Sequence, residues 1–238
     1  MKIKTTILPL FTLSTGLLGM IFRFWLNTAG TDKEGLFIPS HPSIVCMFIV
    51  AAVTMLVLGL CTWSVDKTPQ PFSQSILGAA GCFLGGAGIL VSDLLELSVS
   101  TDIVGTISFI FGLAAAGCLI YMGWCRLKGI SGNLWAHVAI CAYFMIHLVM
   151  QYRLWSSTPQ VQDYFFPLLG SVFLMLFSYS RAAKDLKQPC EGQYLFFGQA
   201  ALFCCLLSFA GSSWLFYASM AAWTTLDHLP RKAVPAEQ

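Results

Sequence analysis

Between residues 192 and 226 the chain runs for 35 residues without one Asp, Glu, Lys or Arg. Six more charge-free runs precede it, at 5–22, 35–65, 68–92, 103–125, 129–152 and 164–180. Crossing a bilayer core of about 30 Å takes roughly 20 mostly apolar helical residues. Runs of this length restrict the chain to a polytopic, all-α membrane protein. Composition agrees: 10% of residues are charged and 57% hydrophobic, where a soluble domain carries about 25% charged residues. That balance excludes a disordered chain, a secreted disulfide scaffold, a coiled coil and a DNA-binding domain.

Six of the seven runs fit one helix each, because Pro39, His41 and Pro42 push the start of the second to about Ser43. The last run does not fit, since one helix of that length would reach about 52 Å and tilt cannot hide the excess. A break at Ala210-Gly211-Ser212-Ser213 divides it into two short helices joined by a tight turn. The expected architecture is therefore an eight-transmembrane-helix bundle, with helices at about 5–28, 43–64, 74–95, 103–125, 132–153, 163–181, 193–209 and 213–228. Lys and Arg concentrate on the cytoplasmic side of a membrane. Eight spans with both termini cytoplasmic put ten such residues inside and three (Arg23, Lys33, Arg153) outside, against eight and five for a single long last helix. The first helix follows Lys2 and Lys4 like a signal peptide, but seven further spans make it an uncleaved anchor. Residues 1–238 then form one transmembrane domain, whose short loops leave no room for a soluble one.

None of the nine cysteines falls in an expected outer loop, and no Cys-x-x-Cys pair occurs. Neither a disulfide framework nor a cysteine metal site is expected. The glycine cluster from Gly78 to Gly88 lacks the Lys-Ser/Thr of an ATP-binding loop. It forms small-xxx-small ladders, as do Gly112/Ala116 and Ala218/Ala222, and these let helix backbones approach closely. Helices three and four are expected to pack tightly.

Arg23-Phe24-Trp25 ends the first helix, and Asp32, Phe37 and Pro39 follow; Arg153-Leu154-Trp155 ends the fifth, and Asp163, Phe165 and Pro167 follow. Two parallel four-helix halves, 1–128 and 129–238, would produce this recurrence. Chance recurrence among seven tryptophans is the other reading. From Trp155 the sequence continues Ser156-Ser157-Thr158-Pro159-Gln160-Val161-Gln162-Asp163-Tyr164-Phe165-Phe166, and the sixth helix leaves through Tyr179-Ser180-Arg181-Ala182-Ala183. The block over 153–185 resembles one in a group of uncharacterised bacterial multi-pass membrane proteins. The resemblance implies a bacterial plasma (cell) membrane protein and brings neither an activity nor binding residues.

Polar side chains at membrane depth are costly and mark candidate sites. Tyr143, His147 and Gln151 are spaced by four on the fifth helix and share a face. They read either as the lining of an outward-facing polar cavity or as an interhelical hydrogen bond with an interfacial tyrosine. Asp93 and Glu96 lie one turn apart at the outer end of the third helix. Hydration, pairing with Arg23 or Arg153, and cation binding all stay open for them. Trp25 and Trp155 read as interface anchors. One arginine is expected to turn inward onto Asp93 or Glu96 beside the stripe, where an anionic small ligand would replace the carboxylate.

No metal site and no cofactor is expected: His137 and His147 lie on one helix, whereas bis-histidine haem ligation normally draws on two. Neither Gly-x-Ser-x-Gly nor His-Glu-x-x-His occurs. The lipid bilayer is the expected partner, with a membrane-protein partner or a second copy open and nucleic acid excluded. Three functions survive: small-solute or ion transport, including a membrane-embedded substrate-binding component; a non-catalytic accessory or structural role; and an enzyme acting on lipid-linked substrates.

Overall fold

A computed structural model describes residues 2–32, 37–38, 41–63, 65, 75–99, 103–155, 164–188, 190–211 and 213–229. Eight α-helices account for almost all of them: α1 Lys2–Ala29, α2 Pro42–Trp63, α3 Ile76–Val99, α4 Ile103–Lys128, α5 Leu134–Trp155, α6 Phe165–Asp185, α7 Glu191–Leu207 and α8 Trp214–His228. Seven of these are long and apolar enough to cross a membrane. Their outward faces carry Val45, Ile49, Val53, Leu56 and Leu60 on α2, and Ile107, Ile110 and Leu113 on α4, all exposed. A surface of that kind suits lipid rather than water.

Local signals set the helix ends. Pro42 opens α2, where a missing N–H costs nothing. The Ser75 hydroxyl accepts the Gly78 N–H at 3.0 Å to cap α3, and Asn133 Oδ1 accepts the Trp135 N–H at 3.2 Å to cap α5. At the end of α4, Gly129 takes a φ of 68°. The Ile130 N–H then returns to Cys125 O at 3.0 Å and satisfies a terminal carbonyl. Lys187 does the same for α6 with a φ of 59°, and the Gln188 N–H reaches Ala183 O at 3.0 Å.

The long last run breaks inside the expected segment. After α7 a 3-10 turn covers Ser208–Ala210, Gly211 turns extended and α8 begins at Trp214. Asn27 of α1 donates to the freed Ala210 carbonyl at 3.3 Å and holds the corner.

Successive helices run in opposite directions. One end of the bundle, here the lower end, collects the starts of α1, α3, α5 and α7 with the ends of the even-numbered helices. Six helices, α3 to α8, close into a ring by neighbour packing, with α8 against α3. The α1–α2 pair stands outside that ring and packs on α7. The two halves differ in their neighbours: α6 packs on α5 and α7, its neighbours in sequence, while α2 packs on α1 and on the distant α7. Helix packing gives the proposed duplication no support.

The glycines of α3 divide between two neighbours. A methyl on Gly86 would lie 3.0 Å from Ala116 O of α4, and one on Gly81 would lie 3.1 Å from Trp223 O of α8. Gly85 and Gly88 also face α8. The ladder therefore seats α8 as closely as it seats α4, a role the sequence reading did not give it.

Candidate functional site

Two buried polar layers lie inside the helix ring, separated by aromatic side chains. The upper layer contains the α5 residues Tyr143, His147 and Gln151, all buried. The Tyr143 hydroxyl donates to Asp93 Oδ1 at 3.1 Å, and Gln151 Nε2 lies 3.5 Å from Glu96 Oε1 at the exposed rim. Asp93 is 4% exposed, and its second oxygen, Oδ2, has no hydrogen-bond partner. It occupies the notch left by Gly112 of α4, because a Cβ there would collide with Oδ2. A glycine read as helix packing thus admits a carboxylate. His147 stacks on Phe216 with centroids 4.4 Å apart, and its Nε2 is buried without a partner.

The side-chain hydrogen bond of Asp93 comes from Tyr143, not from an arginine. Arg23 is buried on α1, and its guanidinium lies 5.3 Å above the Phe37 ring. Arg153 is exposed at the end of α5. Helix order explains the first separation: Arg23 belongs to the outer α1–α2 pair, whereas Asp93 faces into the ring. Trp25 is 43% exposed and meets the His41 ring edge-on at 5.4 Å, as an interface anchor would. The side chain of Trp155 lies outside the described residues.

The lower layer centres on Asp227, near the end of α8. Arg126 of α4 meets its carboxylate with both terminal nitrogens, at 2.8 and 3.2 Å. Tyr194 of α7 donates its hydroxyl to Oδ2. Arg181 of α6 stands 3.7 Å from Oδ1 and donates from NH2 to Cys82 Sγ at 3.2 Å. His228 closes the layer, with Nδ1 donating to Thr224 O at 2.7 Å and the ring stacked on Tyr194 at 4.8 Å. Nearby His137 donates from Nε2 to Asp185 Oδ2 at 2.8 Å, and Lys184 pairs with Glu191 at 2.6 Å. Buried charge of this density is costly unless paired and hydrogen-bonded.

Between the layers runs an aromatic column, all of it buried. Phe216 lies 6.4 Å from Phe144, and Phe144 stacks 6.4 Å from Trp223. Trp223 then meets Phe177 edge-on at 5.1 Å, and Phe177 reaches Tyr194 at 5.3 Å and His228 at 5.4 Å. The column joins His147 of the upper layer to the Asp227 layer below.

Sequence reasoning missed Arg126, Arg181, Tyr194, Asp227 and His228. They border the charge-free runs or lie just inside one, so the charges read as loop and topology determinants. A usable signal was present: Asp227 ends an otherwise uncharged apolar helix, a carboxylate at the level of Arg126 and Arg181.

Among the described residues no three His, Cys, Asp or Glu side chains gather as metal ligands would. All nine cysteines are free thiols. The chain matches no protein-family model, no curated protein and no solved structure.

Proposed function

We propose that the chain is a plasma-membrane protein of eight spans, both termini cytoplasmic, that moves a small solute or ion through its six-helix ring. The observation that carries this reading is the pair of buried polar layers on opposite sides of an aromatic column. A purely structural bundle gains little from carboxylates and guanidiniums at membrane depth, where they face a cavity or one another and mark solute paths. Aromatic side chains between two polar layers are suited to closing such a path.

The eight-span count rests on α8, which has 15 residues. Although short, it returns from the corner at Gly211 to the level of the first turn of α7, where Asp227 and His228 meet Tyr194. The distribution of Lys and Arg supports placing the lower layer on the cytoplasmic side. Asp93, Glu96, Tyr143, His147 and Gln151 then line the outward half. A non-catalytic structural role is the second reading, favoured by the close backbone approach of α3 to α4 and α8.

The test is the full-length protein in liposomes, given concentration jumps of sodium, potassium, phosphate or acetate. Flux is read as capacitive current and as a change in an entrapped pH dye. The transport reading expects a response to at least one solute that Asp93→Asn reduces. Silence toward all four, with the protein shown to be folded and inserted, would favour the structural reading.

A further inference from the structure

We propose that the lower layer is a binding site for a small oxyanion, a carboxylate or a phosphate, centred on Arg181. The buried side-chain atoms without a hydrogen bond there are donors on Arg181, Trp223 and Ser178 and two acceptors, His137 Nδ1 and Asp227 Oδ1, the latter ion-paired with Arg126. Arg181 is 1% exposed, and its Nε and NH1 have no acceptor. The Trp223 indole N–H and the Ser178 hydroxyl are likewise buried without partners. Ser178 lies one turn before Arg181 on the buried face of α6, and the Trp223 ring lies 5.8 Å from the Arg181 guanidinium.

Asp227 does not satisfy this set. Its Oδ2 accepts from Arg126 and Tyr194; its Oδ1 is ion-paired with Arg126 at 2.8 Å without a hydrogen bond, and Arg181 NH2 remains 3.7 Å from it, too far for a hydrogen bond. The remaining contact of Arg181, with Cys82 Sγ, goes to a weak acceptor. A buried donor left unmade is expensive, and several donors around one guanidinium call for a ligand that only accepts. Carboxylate and phosphate fit, since the planar fork of arginine matches both. Asp227 beside it would hold Arg126 and Tyr194 in place while Arg181, Ser178 and Trp223 take the anion.

This inference deepens the transport reading by naming its substrate class, and binding can be measured without flux. The full-length protein in non-ionic detergent is heated while intrinsic fluorescence reports unfolding. Inorganic phosphate or acetate is titrated at constant ionic strength set by chloride. A ligand that binds only the folded state raises the midpoint in a saturable way. Parallel samples in mixed micelles compare phosphatidylglycerol with phosphatidylcholine.

The expected result is a saturable rise that chloride does not produce and Arg181→Gln abolishes. Ser178→Ala removes a hydroxyl with no partner in the chain, so it keeps the fold and weakens the anion by about tenfold. A rise with phosphate or acetate identifies a free solute, and a rise with phosphatidylglycerol alone identifies a lipid headgroup. No saturable rise with any probe overturns the proposal, as does a rise that survives Arg181→Gln or is unchanged in Ser178→Ala. If Arg181→Gln fails to fold, Ser178→Ala decides. Binding without flux in liposomes would remove transport and leave the site, and flux without binding would do the reverse.

Discussion

Replacing Asp227 with Asn tests how the lower layer is held together. The Asp227 side chain is 0% exposed, and those of Arg126 and Arg181 are 5% and 1% exposed. The substitution preserves shape but leaves two buried guanidiniums facing a neutral amide. Breaking a buried ion pair from one side costs about 3–5 kcal/mol, because the remaining charge cannot regain water. For a chain of this size each kcal/mol moves the melting midpoint by about 2–4 °C, so a fall of about 6–20 °C is expected in detergent. The companion is Arg126→Met with Asp227→Leu, which removes both halves of the Arg126–Asp227 pair. It should recover part of the loss but not all, since Arg181 keeps its charge. A fall of less than about 2 °C for Asp227→Asn would refute the reasoning, as would a double variant no better than the single one.

Four further outcomes follow from the same contacts. Tyr194→Phe deletes one hydrogen bond to Asp227 and should cost about 1–3 kcal/mol in the same melt; no change would mean that Arg126 alone satisfies the carboxylate. Gly81→Leu should cost about 1–3 kcal/mol or more by forcing α8 from α3, because a Cβ there already lies 3.0 Å from Leu226 Cβ; an unchanged midpoint would contradict the packing. Gly112→Ala should displace Asp93 from its notch and destabilise the fold by a similar amount, whereas Gly117→Ala, where a Cβ meets nothing, should be neutral. Cys190 lies between α6 and α7, donates its thiol to Ser180 O at 3.4 Å and has its pKa raised chiefly by burial. Below that pKa the reactive thiolate grows about tenfold per pH unit, so its alkylation, followed peptide by peptide in native protein, should be slow at pH 7 and about tenfold faster at pH 8. Fast, pH-independent labelling would refute this.

Much of the fold was legible because lipid imposes a length rule. The 35-residue run could not be one span, and the weak helix formers Gly211 and Ser213 marked where it divides. Helix ends were less legible for a related reason. A charge-free run stops at the first ionised residue, but a helix does not: α4 carries Arg126 and Lys128, and α6 carries Arg181, Lys184 and Asp185. Arg126, Lys184 and Asp185, beyond the expected helix ends, are therefore helical, and they join the lower layer with Arg181 and Asp227.

Helix order was legible only where the small-residue ladders pair α3 with α4. Nothing in the residues of α3 says that Gly81 and Gly85 will meet α8, and without that neighbour Asp227 has no reason to face Arg126. The upper layer fared better, since Tyr143, His147 and Gln151 follow helical spacing within one element. Their partners Asp93 and Glu96 were named as candidates, but Tyr143 rather than an arginine holds Asp93.

The central claim is that the two polar layers are reached from opposite sides of the membrane with the aromatic column between them. Substituted-cysteine accessibility in sealed, oriented vesicles tests it most directly. Gln151→Cys and Ser178→Cys are treated separately with an impermeant maleimide from either face, and mass spectrometry identifies the labelled peptide against the native thiols. The account predicts labelling of Gln151→Cys from the outside and of Ser178→Cys from the cytoplasmic side. Labelling of both from the same face, or of neither from any face, would contradict it.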